Sequence, residues 1–298
     1  MSNNRFIEKI PRKGLGDYIN IIILGMFALL GIFPLYYVVI ISFADLVEMS
    51  KYKVYLLPLS FDFTAYKFIF FDDKVLKGFI VTIFVTIIGT LFSMLITVSA
   101  AYSLSKKTFP FRRYIMGAIV FTMFFWGQLI PYYFTVKSLG LINNLFAMII
   151  PPAINTFYLI IMKNYFQTMP DSIEESAKID GANDIYILWK IILPISMPIL
   201  ATFVLFYSVE RWNDWWYALL FISNPDFRPI QIIMREIMTN LQMTTSGAGG
   251  MLSHIKKPVG MQSIKMAMVV VSTVPIALFY PLLQKYFTKG ILIGSIKG

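Results

Sequence analysis

The chain has 298 residues, of which 57% are hydrophobic and 14% charged, and its formal net charge is +10. A water-soluble domain of this size would expose too much apolar surface, so the composition points to an integral membrane protein, and the positive charge reads as cytoplasmic loops rather than a nucleic-acid surface. The lack of cysteine excludes disulfides, thiolate metal sites and cysteine nucleophiles, and the single histidine, His254, leaves almost nothing for a zinc site or a serine–histidine dyad.

In chain order, residues 1–18 form a basic N-terminal segment with Arg5, Lys9, Arg12 and Lys13. The apolar run that follows exceeds the ~7–15 residues of a signal-peptide core and is long enough for ~30 Å of hydrocarbon, which predicts an uncleaved anchor. Runs of about 20 apolar residues predict six spans, at 19–43, 77–104, 113–135, 145–167, 193–222 and 264–288. The fold class is therefore an all-α polytopic membrane protein with one transmembrane domain over 19–288. The loop after the second span holds Lys106, Lys107, Arg112 and Arg113, whereas the loop after the third holds only Lys137. The positive-inside rule then places the second-to-third loop in the cytoplasm, together with both termini and the tail 289–298. Residues 44–76 and 223–263 become outer segments. Within the second of these, Gly247 to Gly250 lack the lysine and serine or threonine of a phosphate loop.

Between the fourth and fifth spans lies a polar stretch, residues 170–192, that continues into the fifth span as ESAKIDGANDIYILWKIILPISMP from Glu175 to Pro198. Pro170 ends the preceding helix. Asp171 or Ser172 is placed to cap a new one, with Glu174 or Glu175 three residues on. Ser176 and Ala177 are small enough to let another surface come close. Gly181, after Asp180, suits a left-handed turn. A second short helix over about 183–192 carries Ile185, Leu188, Trp189 and Ile192 at helical spacing, and Pro194 and Pro198 shape the start of the fifth span. The expected product is a cytoplasmic helix–turn–helix elbow. Spacing alone fits an amphipathic interfacial connector equally well.

The order Glu175, Ser176, Ala177, then Gly181, Ile191, Leu193 and Pro194 resembles the signature loop of permease subunits in binding-protein-dependent ABC importers. Ser176 stands where that loop usually has alanine. The segments AYSLSKKTFPFRR (101–113), WNDWWYAL (212–219) and KGILIGSIKG (289–298) resemble the carbohydrate-uptake branch, with Phe111 where the branch often has glycine. MFFWGQLIPYY (123–133) and SAKIDGAND resemble its complex-oligosaccharide subgroup. The resemblance implies a permease in a bacterial cell membrane that pairs with a second homologous permease. It implies two cytoplasmic ATPase subunits that hold ATP and Mg, an extracellular sugar-binding lipoprotein, and an oligosaccharide substrate. This chain is then no enzyme and binds no cofactor, metal or nucleic acid itself. Glu174, Glu175, Ser176, Ala177, Asp180, Gly181, Ala182, Leu193 and Pro194 become the ATPase-coupling residues.

For the substrate path the candidates are Trp212, Asn213, Asp214, Trp216 and Tyr217 in the fifth span, Gln128 in the third and Asn155 in the fourth. Aromatic faces stack on sugar rings, and amides and carboxylates bond their hydroxyls. The same residues also fit an aromatic belt or packing between permeases. On a continuous helix Trp212 and Trp216 share one strip and Asn213 and Tyr217 the next. Glu210 and Arg211 read as a structural pair, and Pro131, Tyr132 and Tyr133 as a packing notch or cavity lining. Two other classes stay open. A membrane-embedded glycan- or lipid-modifying enzyme needs paired acids near a membrane face. A secondary sugar carrier wants ionisable groups mid-membrane, and the second, third and fourth spans have none at their centres.

Overall fold

The computed structural model describes residues 14–45, 61–124, 129–245 and 261–295. Gln128, Gly247 to Gly250, His254 and both ends of the chain lie outside the described residues, as do the expectations that fall on them. Among the described residues every long element is an α-helix. They are α1 (Leu15–Ser42), α2 (Thr64–Phe70), α3 (Asp73–Ser105), α4 (Arg112–Phe124), α5 (Leu129–Ser138), α6 (Thr156–Gln167), α7 (Asp171–Ile179), α8 (Asp184–Ile195), α9 (Met197–Trp212), α10 (Trp216–Phe221), α11 (Ile230–Thr245) and α12 (Met261–Ser295).

The chain divides into two units. The first, residues 1–66 with 254–270, contains α1 and the start of α12. Its small core joins Ile40, Ile41 and Ala44 to Tyr37 and Met266. Ser263 donates from Oγ to the Ala44 carbonyl at 2.8 Å, and the Phe43 ring stacks on Tyr66 at 4.8 Å. From Gly16 to Tyr36, α1 is exposed along its whole circumference despite its apolar sequence. A helix apolar all round is at home in lipid or against another apolar chain.

The second unit, residues 67–253 with 271–298, is built on α3. Along it pack α6 and α9, and nearer its start α11. The core combines Val98, Ala101 and Tyr102 of α3 with Leu159, Met162 and Phe166 of α6 and Leu200, Phe203 and Tyr207 of α9. Small and hydroxyl residues let α3 lie close to its neighbours, as membrane helices do where packing rather than water drives association. The Tyr207 hydroxyl meets Thr97 Oγ1 at 2.8 Å, deep in this core. At Gly78 a side-chain carbon would come within 3.3 Å of the Ile230 backbone. Its absence lets α11 start against α3, where the Ile230 amide donates to Thr82 Oγ1 at 2.8 Å.

Among the described residues, only α1, over Gly16–Ser42, and α3 are single helices long and apolar enough to cross a bilayer, and α8 with α9 adds a third crossing only as a bent pair. The other predicted spans are interrupted. The predicted third span comprises α4 and α5. The predicted fourth is a 3-10 turn at Leu145–Met148, a break over Pro151 and Pro152, and then the 12 residues of α6. The predicted fifth breaks between α9 and α10. Prolines and capping residues end these helices, which an apolar tally does not register. The sixth, α12, runs on as one helix through Pro275 and Pro281.

Candidate coupling elbow and translocation face

Over the residues of the predicted elbow the structure has α7, a turn and α8. Gly181 has φ 82, in the left-handed region. Its amide donates to the Lys178 carbonyl at 3.0 Å, and the next amide, of Ala182, donates to Ala177 at 2.9 Å. These are the paired bonds of a Schellman ending, which satisfy the last carbonyls of α7 and turn the chain. Asn183 then starts α8 by accepting from the Tyr186 amide at 2.8 Å. At Ser196 the chain bends by 88° into α9. If α9 crosses the membrane, α8 therefore lies along its surface. Pro194 and Pro198 sit on either side of that bend, as expected for residues shaping the start of the fifth span.

Three expectations for the elbow need correction. Neither Asp171 nor Ser172 caps α7, because the helix already begins at Asp171 behind Pro170 and has no side-chain cap. The acids pair across to the preceding loop instead: Asp171 with Lys107 at 2.9 Å, and Glu174 with Lys106. Glu175 is exposed and caps nothing. Ala177 does not offer a close approach to a partner, because it is buried in this chain's own core, where Ala182 packs against the same cluster; Ser176 is the exposed small residue. Finally, Ile185, Leu188, Trp189 and Ile192 do not form one face. Residues Ile187–Ile192 form a π-helical stretch, whose wider turn changes the register. Ile187, Leu188 and Ile192 point into the core, while Ile185 and Trp189 stand exposed.

The outer surface of the elbow therefore carries large apolar side chains among its polar ones. Ile179 is 86% exposed and Ile185 72%, with Tyr186 and Trp189 also open. A cleft of about 530 Å³ beside them is lined by Asp180, Gly181, Ala182, Asn183, Tyr186 and Lys190. Lys178 and Asp184 brace the turn with a 3.0 Å ion pair. Where the elbow meets the end of α3, Lys106 sits over the Tyr102 ring, 3.9 Å from its centroid. Burial pulls this ammonium below its ordinary value, to about 8, helped by the nearby Lys178 charge, while Asp184 and Asp171 favour its charged form. Leu193 is partly buried and Pro194 exposed at the far end of the elbow.

The fifth-span aromatics are divided between two helices. Asn213 ends α9, its side-chain amide donating to the Val209 carbonyl at 2.9 Å. Asp214 starts α10, Oδ1 accepting from the amides of Trp216 and Tyr217 at 3.0 and 3.2 Å. Trp212 and Trp216 therefore do not share a strip, because the phase of a continuous helix is lost at the break. Trp212 is buried, with Nε1 donating to the Ser272 carbonyl at 3.0 Å and its ring tilted against Phe79. Tyr217 packs on Tyr132 and Phe221. Tyr132 and Tyr133, both half-buried, pack against the cluster of Val136, Ala147 and Phe221. Trp216 and Asn213 remain exposed, and Trp215 lies under Arg235 at 4.1 Å.

Glu210 and Arg211 do not pair with each other. Arg211 is buried and spans three partners: Met148 O at 3.0 Å, Ser93 Oγ at 2.9 Å and Pro152 O at 2.5 Å. It ties down the carbonyls freed at the proline break, and Gly89 makes the room: a side-chain carbon there would lie 3.2 Å from Arg211 Nε. Glu210 points to the exposed surface. Its Oε1 accepts from the Tyr158 hydroxyl at 2.6 Å and from Asn155 Nδ2 at 3.5 Å. Asn155 also caps α6 through Oδ1, accepting from the Phe157 amide at 3.0 Å. The exposed rings of Phe157 and Phe206 flank this group. Sequence reasoning gave Asn155 as a substrate-path candidate, read Glu210 as a structural pair with Arg211, and did not weigh Tyr158. The one signal available was an ionisable residue inside an apolar run.

Residues 114–293 match the family described as binding-protein-dependent transport system inner membrane component. The chain is 45% identical to the polygalacturonan/rhamnogalacturonan transport system permease protein YtcP of Bacillus subtilis, over 92% of this chain and 95% of that one. It is 42% identical to protein LplC of the same organism, over 95% of each. A solved structure, a bacterial ABC transporter involved in the import of the acidic polysaccharide alginate, contains a chain that superposes with a TM-score of 0.83 at 33% identity, covering 93% of this chain and 99% of that one.

Proposed function

The chain belongs to the binding-protein-dependent transport system inner membrane components and is a permease subunit of an ABC importer; from that premise we propose that it forms, with a second related permease, the translocation path for an oligosaccharide handed over by an extracellular binding protein. Two cytoplasmic ATPase subunits, one under each permease, carry the ATP and Mg. The interrupted helices count as spans. α1, α3, α4 with α5, the 3-10 turn with α6, α9 with α10, and α12 then make six crossings, with both termini and the elbow in the cytoplasm.

The observation that carries this reading is the elbow. It is held to its own chain by a buried inner face and by ion pairs to the loop after α3, and it presents Ile179, Ile185 and Trp189 outward. Exposed apolar side chains on a rigid, capped element are a docking surface. The partner is the ATPase, and rigid-body motion of that partner is passed through the right-angle bend into α9.

Glu210, Asn155 and Tyr158, with exposed Trp216 and Asn213, are the substrate-path residues. A carboxylate on an otherwise apolar exposed face belongs against water, sugar hydroxyls or protein, not lipid. The oligosaccharide class rests on what the relatives carry: polygalacturonan/rhamnogalacturonan for the first, alginate for the solved transporter.

The test uses the transporter purified with its partner permease and ATPases and reconstituted in proteoliposomes. Uptake of uronate oligosaccharides, dependent on ATP and on the binding protein, is expected. Glu210→Gln is expected to lower uptake while leaving assembly and basal ATP hydrolysis unchanged. Loss of assembly in that variant would assign Glu210 to the permease–permease contact. For topology, single cysteines at Ser172 and Ser138 of this cysteine-free chain should label from opposite sides of intact cells; labelling of both from outside would reject the arrangement.

A further inference from the structure

A second cavity, of about 600 Å³, lies near the elbow and is not accounted for by coupling or transport. Four cations line it: Lys107 from the loop after α3, Arg112 and Arg113 from the start of α4, and Lys163 from α6. Lys107 is engaged by Asp171. Arg112, Arg113 and Lys163 have no carboxylate partner among the described residues. So much unneutralised like charge around one cavity is unfavourable unless an anion enters it. Arg112, Arg113 and Tyr114 belong to the first turn of α4, so the positive end of that helix lies at the same cavity.

The position of the cavity identifies the anion. It lies where the apolar helix α3 has just ended, at Ser105, and where α4 begins. That is the level at which a crossing helix leaves hydrocarbon. Phe111 and Tyr114, 75% and 77% exposed, stand at the cavity wall, as aromatic side chains do at a membrane–water boundary. α4 buries none of its residues, so apolar side chains such as Ile115 and Phe121 leave a surface along which acyl chains can run. Lys163, half-buried on α6, lines the same cavity, as a lysine does that lays its stem along apolar surface.

We infer that this cavity binds the phosphate of an anionic phospholipid from the leaflet on the elbow side. The inference rests on the chain being a membrane protein and not on which sugar it transports. Because Lys107 joins the cavity to Asp171 of α7, an occupied site also steadies the elbow.

The experiment uses the complete transporter in nanodiscs of phosphatidylcholine with increasing phosphatidylglycerol. Bound lipid is read by native mass spectrometry and the melting temperature by tryptophan fluorescence. Phosphatidylglycerol should be retained through purification and should raise the melting temperature of the unaltered transporter above its value in phosphatidylcholine alone. A positive charge near the membrane surface contributes about 1 kcal/mol, or roughly fivefold, to anionic-lipid binding. Arg112→Gln and Arg113→Gln should each weaken retention by about that factor, and Lys163→Gln similarly, whereas Lys137→Gln, on α5, should not. Equal retention in all variants overturns the proposal. So does a transporter no more stable with phosphatidylglycerol than without it, a reading that needs no variant. Displacement of the lipid by inorganic phosphate at equal concentration would assign a free-anion site and reject the lipid.

Discussion

The elbow and the break at Asn213–Trp215 are both polar interruptions of an apolar chain, and both use an asparagine or aspartate to start a helix. They differ in where their partners lie. The turn of the elbow is closed by bonds that span three to five residues, from Gly181 to Lys178 and from Ala182 to Ala177. The break is held from far away. Arg211, at the end of α9, bonds Met148, 63 positions off, and Ser93, 118 positions off, while Trp212 bonds Ser272, 60 positions off. A locally closed turn has one geometry wherever it is placed. A remotely held one takes its geometry from the packing around it.

The sharpest test of that contrast is Arg211→Met. It leaves the carbonyls of Met148 and Pro152 without their donor and removes the cation near half-buried Asp214. A broken buried charge network typically costs ~3–5 kcal/mol. We expect a marked drop in melting temperature and in the yield of assembled transporter. A variant of unchanged stability would mean that the break is as local as the elbow.

Next comes the outer face of the elbow. Trp189→Ala removes a large exposed ring from the surface assigned to the ATPase. Burying a large apolar side chain is worth roughly 1.5–3 kcal/mol. ATPase association should weaken by tenfold or more in a pull-down titration, with the permease itself as stable as before. Undiminished association would place the docking surface elsewhere on the chain.

Gly181→Val addresses the turn. A side-chain carbon at Gly181 meets nothing within 4 Å, so the cost is purely that of the left-handed backbone, ~1–2 kcal/mol. Transport should fall while the protein stays in the membrane. Gly181→Asn should retain most of it, because asparagine tolerates that conformation. Equal loss in both variants would point to the missing side chain rather than the backbone.

The smallest expected effect is at Phe111, which has φ 54, a conformation a bulky residue adopts only under strain. This is the position at which the sequence pattern of the sugar-uptake branch often has glycine. Phe111→Gly relieves the strain but adds backbone entropy to the unfolded chain. A net gain of about 0.5–1 kcal/mol is expected, read as a small rise in melting temperature. No rise would mean that the ring's contacts offset the strain.

Read from sequence alone, the two regions were not equally legible. The left-handed turn at Gly181 and the prolines flanking the bend into α9 followed from residue chemistry, because each acts over one turn of chain. The capping role given to Asp171 or Ser172 was wrong because the helix already begins at Asp171 behind Pro170, and the acids of its first turn pair with Lys106 and Lys107 instead. Those lysines had registered only as a topology signal. The common face expected for Ile185, Leu188, Trp189 and Ile192 failed because a π-helical stretch changes the period within one turn, and no residue in it announces that change.

By itself the sequence determined that this is a helical membrane protein, that two short helices joined by a glycine turn precede α9, and that the chain is similar to the permeases of sugar importers. Those properties rest on apolar run length, on backbone preferences and on a fixed motif spacing, all of which act between near neighbours. The tertiary structure decided which spans break, which aromatics are buried, and that Glu210 rather than Trp212 faces outward beside Asn155. Rotation of a helix about its axis is set by the partners that fill its grooves. In α9 those partners are Ser93 and Thr97 of α3, the carbonyls around Pro152, and Ser272, all remote in sequence and close only once the chain has packed.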